Sequence, residues 1–301
     1  MYVMNRDGSG QRRLTRGTAK DGSAAPSPNG KKIAFERCCV GPADESDIFV
    51  MNRDGTNQRS LTRQTLDDYA PTWSPDGRKI AYWAFVKEPQ ETAIYVINAD
   101  GSAARRLTHN RYGDTDPAWS PDGRMIAFER TSKTQTDIYV MHADGTGERN
   151  LTRSAGNDRR PRWSPNGRLI AYTHELKLHV INADGGGRRA LTTKRAVEID
   201  PSWSADGRRI AFWSYAHPDE PSDVYSVGAD GNGLRNLTRD GNGAHPAWSP
   251  DGRQIAFLRS QDGNVEVFVM NPDGTGRRNL TRNTADDTDF QGGPVWLPAV
   301  R

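Results

Sequence analysis

One block of residues recurs along the chain and leaves few folds open. It reads Pro-x-Trp-Ser-Pro-Asp-Gly-x-x-Ile-Ala-Phe, with close variants around Trp73, Trp119, Trp163, Trp203 and Trp248. A degenerate copy, Pro26-Ser27-Pro28-Asn29-Gly30, leads into Ile33-Ala34-Phe35, and a truncated one, Pro294-Val295-Trp296-Leu297-Pro298, lies at the end. Successive tryptophans are 46, 44, 40, 45 and 48 residues apart. A second block, Ile-Tyr-Val-Met-Asn-x-Asp-Gly, alternates with the first. Its Asp-Gly pairs are Asp7-Gly8, Asp54-Gly55, Asp100-Gly101, Asp144-Gly145, Asp184-Gly185, Asp230-Gly231 and Asp273-Gly274. A Leu-Thr follows each pair, from Leu14-Thr15 to Leu280-Thr281.

Every piece reads as strand or turn. Asp-Gly or Asn-Gly between apolar runs is a strong hairpin signal, because glycine takes positive φ without a Cβ clash. Ile-Ala-Phe and Ile-Tyr-Val are short continuous apolar runs, as expected of strands buried on both faces. No segment of helical period competes. Each period therefore holds four strands: A (Pro-x-Trp-Ser), B (Ile-Ala-Phe), C (Ile-Tyr-Val-Met) and D (Arg-x-Leu-Thr). Four strands in about 40–45 residues mark a β-propeller of four-stranded antiparallel blades. The repeated tryptophan is expected to wedge between adjacent blades.

The chain opens with strands C and D (Met1–Thr15), continues with six full sets over about residues 24–282, and closes with a lone strand A at 294–300. Seven blades are expected, with six as the alternative. The closing blade would be shared by both termini and would lack one strand B. The whole chain, 1–301, is read as a single propeller domain. No apolar run reaches the roughly 18 residues of a membrane span. A net charge of +3 is too balanced to imply nucleic-acid binding. Two cysteines exclude a disulfide scaffold. No basic and apolar leader follows Met1, so no signal peptide is visible.

The Trp-Ser-Pro-Asp-Gly-x-x-Ile-Ala-Phe and Tyr-Val-Met-Asn-x-Asp-Gly blocks resemble the TolB-like β-propeller repeat family of bacteria. The resemblance covers nearly the whole chain. It implies a propeller fold and a place in the bacterial periplasm or outside the cell. That family includes propellers that dock protein partners in the cell envelope, propellers that gate oligopeptidases, and oligogalacturonate lyases. Fold does not fix function.

Strand direction alternates, so the A–B and C–D turns share one rim, where they are short and nearly uniform. The B–C and D–A loops share the other rim and vary, so the working face is expected there. The D–A loops should line the channel mouth. They carry Asp67, Asp68 and Tyr69; Asp114 and Asp116; Arg159 and Arg160; Glu198 and Asp200; His245; and Asp286, Asp287 and Asp289. One reading is an acidic mouth for a cation, a basic peptide or a zwitterion, with Ca²⁺ as the ion that suits clustered oxygens. The other is that each aspartate bonds backbone N–H groups of its own loop. The B–C loops add Trp83 and Phe85, then Trp213, Tyr215, His217, Asp219 and Glu220. Trp83 and Trp213 are equivalent positions, able to anchor a partner or to pack on the next blade. Cys38-Cys39 is either a vicinal disulfide or two thiols.

No Gly-x-Ser-x-Gly elbow, His-Glu-x-x-His motif or phosphate-binding loop occurs. The expected function is a non-enzymatic, monomeric scaffold that binds a protein or peptide, such as a cell-envelope component, through the loop-bearing face. No cofactor is required by this reading. The alternatives are a metal-assisted polysaccharide lyase or glycosidase using His217, His245, Asp116 and Asp200, and a carbohydrate-binding or gating propeller.

Overall fold

The computed structural model describes residues 1–17, 19–40, 45–62, 66–86, 91–192, 196–216, 221–261, 264–282 and 293–300. It is all-β. A short pair, β1 (Tyr2–Val3) and β2 (Arg12–Arg13), comes first. Blade 1 is β3 (Lys20–Pro26), β4 (Lys32–Val40), β5 (Glu45–Asn52) and β6 (Arg59–Ser60). Blade 2 is β7 (Asp67–Trp73), β8 (Lys79–Val86), β9 (Glu91–Asn98) and β10 (Arg105–Arg106). Blade 3 is β11 (Gly113–Trp119), β12 (Met125–Thr131), β13 (Thr136–His142) and β14 (Arg149–Asn150). Blade 4 is β15 (Asp158–Trp163), β16 (Leu169–His174), β17 (Lys177–Asn182) and β18 (Arg189–Ala190). Blade 5 is β19 (Val197–Trp203), β20 (Arg209–Tyr215), β21 (Asp223–Gly228) and β22 (Arg235–Asn236). Blade 6 is β23 (Gly243–Trp248), β24 (Ile255–Gln261), β25 (Asn264–Met270) and β26 (Arg278–Asn279).

Each of these six sheets is ordered A-B-C-D, so the expected blade is present. The expectation of seven blades, the closing one shared by both termini, gives way to its alternative of six: among the described residues six blades are complete, and the seventh repeat is the two-stranded β1–β2 pair. Residues 294–297 form no strand. In the complete blades strand A pairs with B and B with C, so strands A and C are not direct partners.

The repeated residues do structural work. In the A–B turn the Ser74 hydroxyl donates to Asp76 at 2.6 Å and accepts the Lys79 N–H at 2.9 Å, and the other five blades repeat this with Asp or Asn. Strand D pairs over only two residues. The threonine of Leu-Thr then extends the ladder: Thr62, Thr108, Thr152, Thr238 and Thr281 each accept a strand C N–H at 2.9–3.1 Å.

The chain divides into two compact units. One holds Met1–Val3, Arg12–Pro161 and Leu297–Arg301; the other holds Met4–Gln11 and Arg162–Trp296. In the first, Ile48, Val50 and Leu61 of blade 1 pack on Trp73, Ile80 and Tyr82 of blade 2. Ala81, Ile94 and Leu107 of blade 2 pack likewise on Trp119, Ile126 and Phe128 of blade 3. In the second unit Leu178, Val180 and Leu191 meet Ile210 and Phe212, and Val224 and Leu237 meet Trp248, Ile255 and Phe257. The tryptophan does bridge blades: Trp73 Nε1 donates to Ala25 O at 2.9 Å, and Trp203 Nε1 to Arg162 O at 3.0 Å.

Candidate functional site

Five inner strands carry a bulge near their loop-bearing end, and that of blade 4 has the same positive φ at the equivalent residue. In blades 1, 2, 3, 5 and 6 the register slips there, between Gly22 and Ala25, Tyr69 and Thr72, Thr115 and Ala118, Ile199 and Ser202, and Ala244 and Ala247. One residue per blade consequently sits in the left-handed region: Ser23, Ala70, Asp116, Arg160, Asp200 and His245, with φ of 45–60°. Such a φ is sparsely populated by non-glycine residues. The backbone is constant here, whereas the side chain differs in chemistry from blade to blade.

A second position faces these bulges from strand B, thirteen residues on. It holds Glu36 in blade 1, Trp83 in blade 2, Glu129 in blade 3 and Trp213 in blade 5. In the first unit Ser23 Oγ donates to Glu36 at 3.1 Å, and the Ala70 backbone N–H also bonds that carboxylate. Burial raises the Glu36 carboxyl above its ordinary range. The Arg160 N–H donates to Glu129 at 2.5 Å. Burial, and then the neighbouring Asp116 carboxylate, push Glu129 up to about 8. Tyr69 stacks on Trp83 with centroids 4.4 Å apart, both rings half-buried. Asp67 accepts the Ser46 N–H at 2.9 Å.

In the second unit Asp200 Oδ2 accepts Trp213 Nε1–H and lies 2.9 Å from His245 Nδ1. The Trp213 ring lies 5.1 Å from His245 and 5.3 Å from Tyr215. A Cβ on Gly293 would fall 2.4 Å from His245 Cβ, so glycine alone lets the backbone approach here. His217 and Asp287 lie outside the described residues, as do Asp286, Asp289, Asp219 and Glu220.

In blades 1 to 5 a second acid stands two residues before the bulge residue, and these acids are largely committed to the fold. Asp114 is fully buried and held bidentately by Arg130 at 2.7 and 2.9 Å. Asp21 is held likewise by Arg37 at 2.6 and 3.0 Å. Buried Asp158 accepts from Ser154, and buried Glu198 accepts the Leu178 N–H. Asp68 differs. Its register partner is Ala84, where blades 1 and 3 have Arg37 and Arg130. Asp68 is 2% exposed, and among the described residues its Oδ2 has no hydrogen-bond partner. Desolvation pushes its carboxyl up to about 8, with Asp47, Asp67 and Glu45 adding to the effect.

The structure thus brings Tyr69 to Trp83, Asp116 to Glu129, and Asp200 to Trp213 and His245. Glu36 and Glu129 are the members that sequence reading missed. Their signal was the shared Phe-Glu-Arg of two repeats, Phe35-Glu36-Arg37 and Phe128-Glu129-Arg130, at the register of Trp83 and Trp213. Among the described residues no three His, Cys, Asp or Glu side chains converge as a metal-binding set. Phe85 closes the β8 hairpin half-buried, and the side chain of Cys39 lies outside the described residues.

Solved structures share this fold at low identity. TolB from Acinetobacter baumannii matches with a TM-score of 0.64 and 22% identity over 87% of this chain, which spans 66% of that protein. An oligogalacturonate lyase in complex with manganese matches at 0.74 and 15% identity, over 94% of this chain and 85% of the lyase. A structure from a study of two prolyl endopeptidases matches at 0.70 and 14% identity, over 89% of this chain and 44% of that one. At these identities the likeness shows the fold alone. A search of curated proteins finds no relative by sequence. The family model for the TolB beta propeller domain matches residues 40–177 and 174–299. With most of its length matched and its blades built from the family's repeat, the chain belongs to the TolB beta propeller domain family.

Proposed function

We propose that the chain is a non-enzymatic propeller domain spanning 1–301 that binds a protein or peptide through the face carrying the B–C and D–A loops. The observation that carries this reading is the bulge. One backbone conformation recurs in six blades, while its residue changes through Ser, Ala, Asp, Arg, Asp and His. Strained positions with a fixed geometry and varied chemistry are where recognition is built. The half-buried aromatics beside them, Tyr69–Trp83 and Trp213–Tyr215, supply the anchoring area that peptide recognition uses. Asp67, Asp116, Arg160, Asp200 and His245 would set specificity. The proposal includes a monomer in the bacterial periplasm or outside the cell; among the described residues no helix is long and apolar enough to cross a membrane.

The test is selection of displayed peptides on the immobilised protein, with counter-selection on the Trp83→Ala/Trp213→Ala double variant. Peptides that bind the wild type and not the folded variant are expected. Failure to enrich any such peptide sinks the reading. A rise in Tm with Ca²⁺ or Mn²⁺ over EDTA would instead favour the metal-assisted carbohydrate enzyme, since a ion bound only by the native state stabilises it by mass action.

A further inference from the structure

In the six complete blades strand B always reads Ile-Ala-Phe or Ile-Ala-Tyr, from Ile33-Ala34-Phe35 to Ile255-Ala256-Phe257. Its aromatic is each time the register partner of a strand C ring, from Phe35 with Phe49 to Phe257 with Phe268. The ring centroids lie 5.6–5.8 Å apart in every pair. The strand C ring is buried or half-buried in each of the six.

β1 is the strand C of the seventh repeat, and Tyr2 holds the place of that ring. Met1 O accepts the Leu14 N–H at 2.9 Å, as Ile48 O and Ile94 O accept those of Leu61 and Leu107 at 2.8 Å. Met1, Val3 and Leu14 pack on Ile33, Phe35 and Met51 of blade 1, just as Ile48, Val50 and Leu61 pack on Ile80, Tyr82 and Ile97 of blade 2. The chain end takes the strand A position in the same unit. Leu297 joins the cluster of Met1 and Val3, and Pro298 lies beside Gly30 as Pro28 lies beside Gly77 and Pro75 beside Gly123. Yet Tyr2 is 70% exposed. Among the described residues β1 pairs with β2 alone, and no strand stands on the side where the complete blades have strand B. Successive residues of a strand bond to opposite sides. Met1 O faces β2, so the N–H and C=O of Tyr2 face the unpaired side. Such an edge is a template for a strand from another chain.

We propose that this edge of β1 binds an extended strand of a partner protein that carries the strand B signature, Ile-Ala-Phe or Ile-Ala-Tyr. The strand runs antiparallel to β1, with its aromatic opposite Tyr2 and its alanine opposite Val3. Main-chain bonds to Tyr2 supply the pairing, and the aromatic pair fixes the register. The donor is a different protein because each of this chain's own six copies of the signature is already paired on both sides within a blade. The proposal concerns a strand edge and does not rest on the loop-face reading; either can fail alone.

The test uses the full chain and the acetylated, amidated peptide Lys-Lys-Ile-Ala-Phe-Glu-Arg, the sequence of residues 31–37. Two control peptides carry alanine or N-methyl-phenylalanine in place of the phenylalanine; the second cannot donate its N–H to Tyr2. The readout is hydrogen exchange at the Tyr2 amide. Saturable slowing is expected with the first peptide, and none with the N-methylated one. Affinity should be about tenfold weaker for the alanine peptide, and likewise for the first peptide against Tyr2→Ala. Because Tyr2 is largely exposed, Tyr2→Ala should leave Tm unchanged, which thermal melting checks. No slowing, equal binding of the N-methylated peptide, or full affinity in Tyr2→Ala overturns the proposal. A Tyr2 amide already protected in the free monomer would place a segment of this chain on the edge. Protection that grows with protein concentration alone would place a second copy there. Either outcome also overturns it.

Discussion

At the scale of single residues, Asp68 is the acid whose environment departs most from its repeat. Its equivalents Asp21 and Asp114 are held by guanidinium groups, whereas Asp68 faces Thr62 and three other acids, Asp47, Asp67 and Glu45. Its folded carboxyl titrates near 8, against an ordinary value of 3.8. The folded state therefore holds a proton that the unfolded state has released. The stabilising contribution is full below about pH 4 and is lost as pH rises through 8. Asp68→Asn is neutral at all pH and keeps the shape. We expect it to melt above the wild type at pH 8 and to match it more closely at pH 5. The exposed turn aspartates respond oppositely. Asp54, Asp100 and Asp144 are lowered by the hydroxyl and N–H of the Thr or Ser two residues on. The difference between variant and wild type isolates Asp68 from them. An identical pH profile in both proteins would show that Asp68 is charged in the folded state.

At the scale of the blade, the buried arginine of strand B ties an inner strand to its neighbour and to the outer turn. Arg130 reaches Asp114 on β11 and Glu148 before β14, and its side chain is only 8% exposed. Removing the guanidinium strands the fully buried Asp114 carboxylate. Breaking one half of a buried pair costs far more than replacing both halves. Arg130→Met should lower unfolding free energy by about 3–5 kcal/mol in urea titrations. Arg130→Met/Asp114→Asn should recover a large part of that loss. A double variant no more stable than the single one would mean that packing over Phe128 and Tyr139, and not charge, sets the cost. Blade 6 offers the inverse case. It keeps Arg259 but has Gly243 where the acid would stand, and Arg259 turns to Asp240 at 2.9 Å. The repeat thus tolerates loss of either partner, provided the other finds a substitute. Asp68 alone among the cases described has an oxygen left without one.

At the scale of the whole molecule, the blade and its turns were legible because each strand and each turn is repeated, so one misleading copy is outvoted by five. The bulge was not legible. Positive φ fell on Ser, Ala, Asp, Arg and His, none of which announces it as glycine does. The site was half legible for the same reason. Trp83 and Trp213 stand out as aromatics, whereas Glu36 and Glu129, at the same register, look like ordinary surface acids until burial is known. Blade number was misread because repeat consensus reports that a segment is built for the fold and cannot report whether it finds a strand to pair with. Trp296 shows the distinction. It forms no strand, yet within its unit it behaves as the repeat tryptophan: Nε1 donates to Ala247 O at 2.8 Å, as Trp203 does to Arg162 O. Arg6 lies over its ring at 5.4 Å and pairs with Asp251 at 2.5 Å. With Met4, the ring packs on Ala256, Val269 and Leu280 of blade 6. Residues from both terminal segments therefore pack against blade 6. Trp296→Ala should cost about 1–3 kcal/mol, less than the ~3–5 kcal/mol of a fully buried aromatic because this ring is half-buried. The loss should be local. Amide hydrogen exchange should quicken in β24 and β25 before it does in β20 and β21, because only the former lose their covering ring. Exchange that quickens equally in both blades, or in neither, would show that the terminal segments are not acting as the closing repeat.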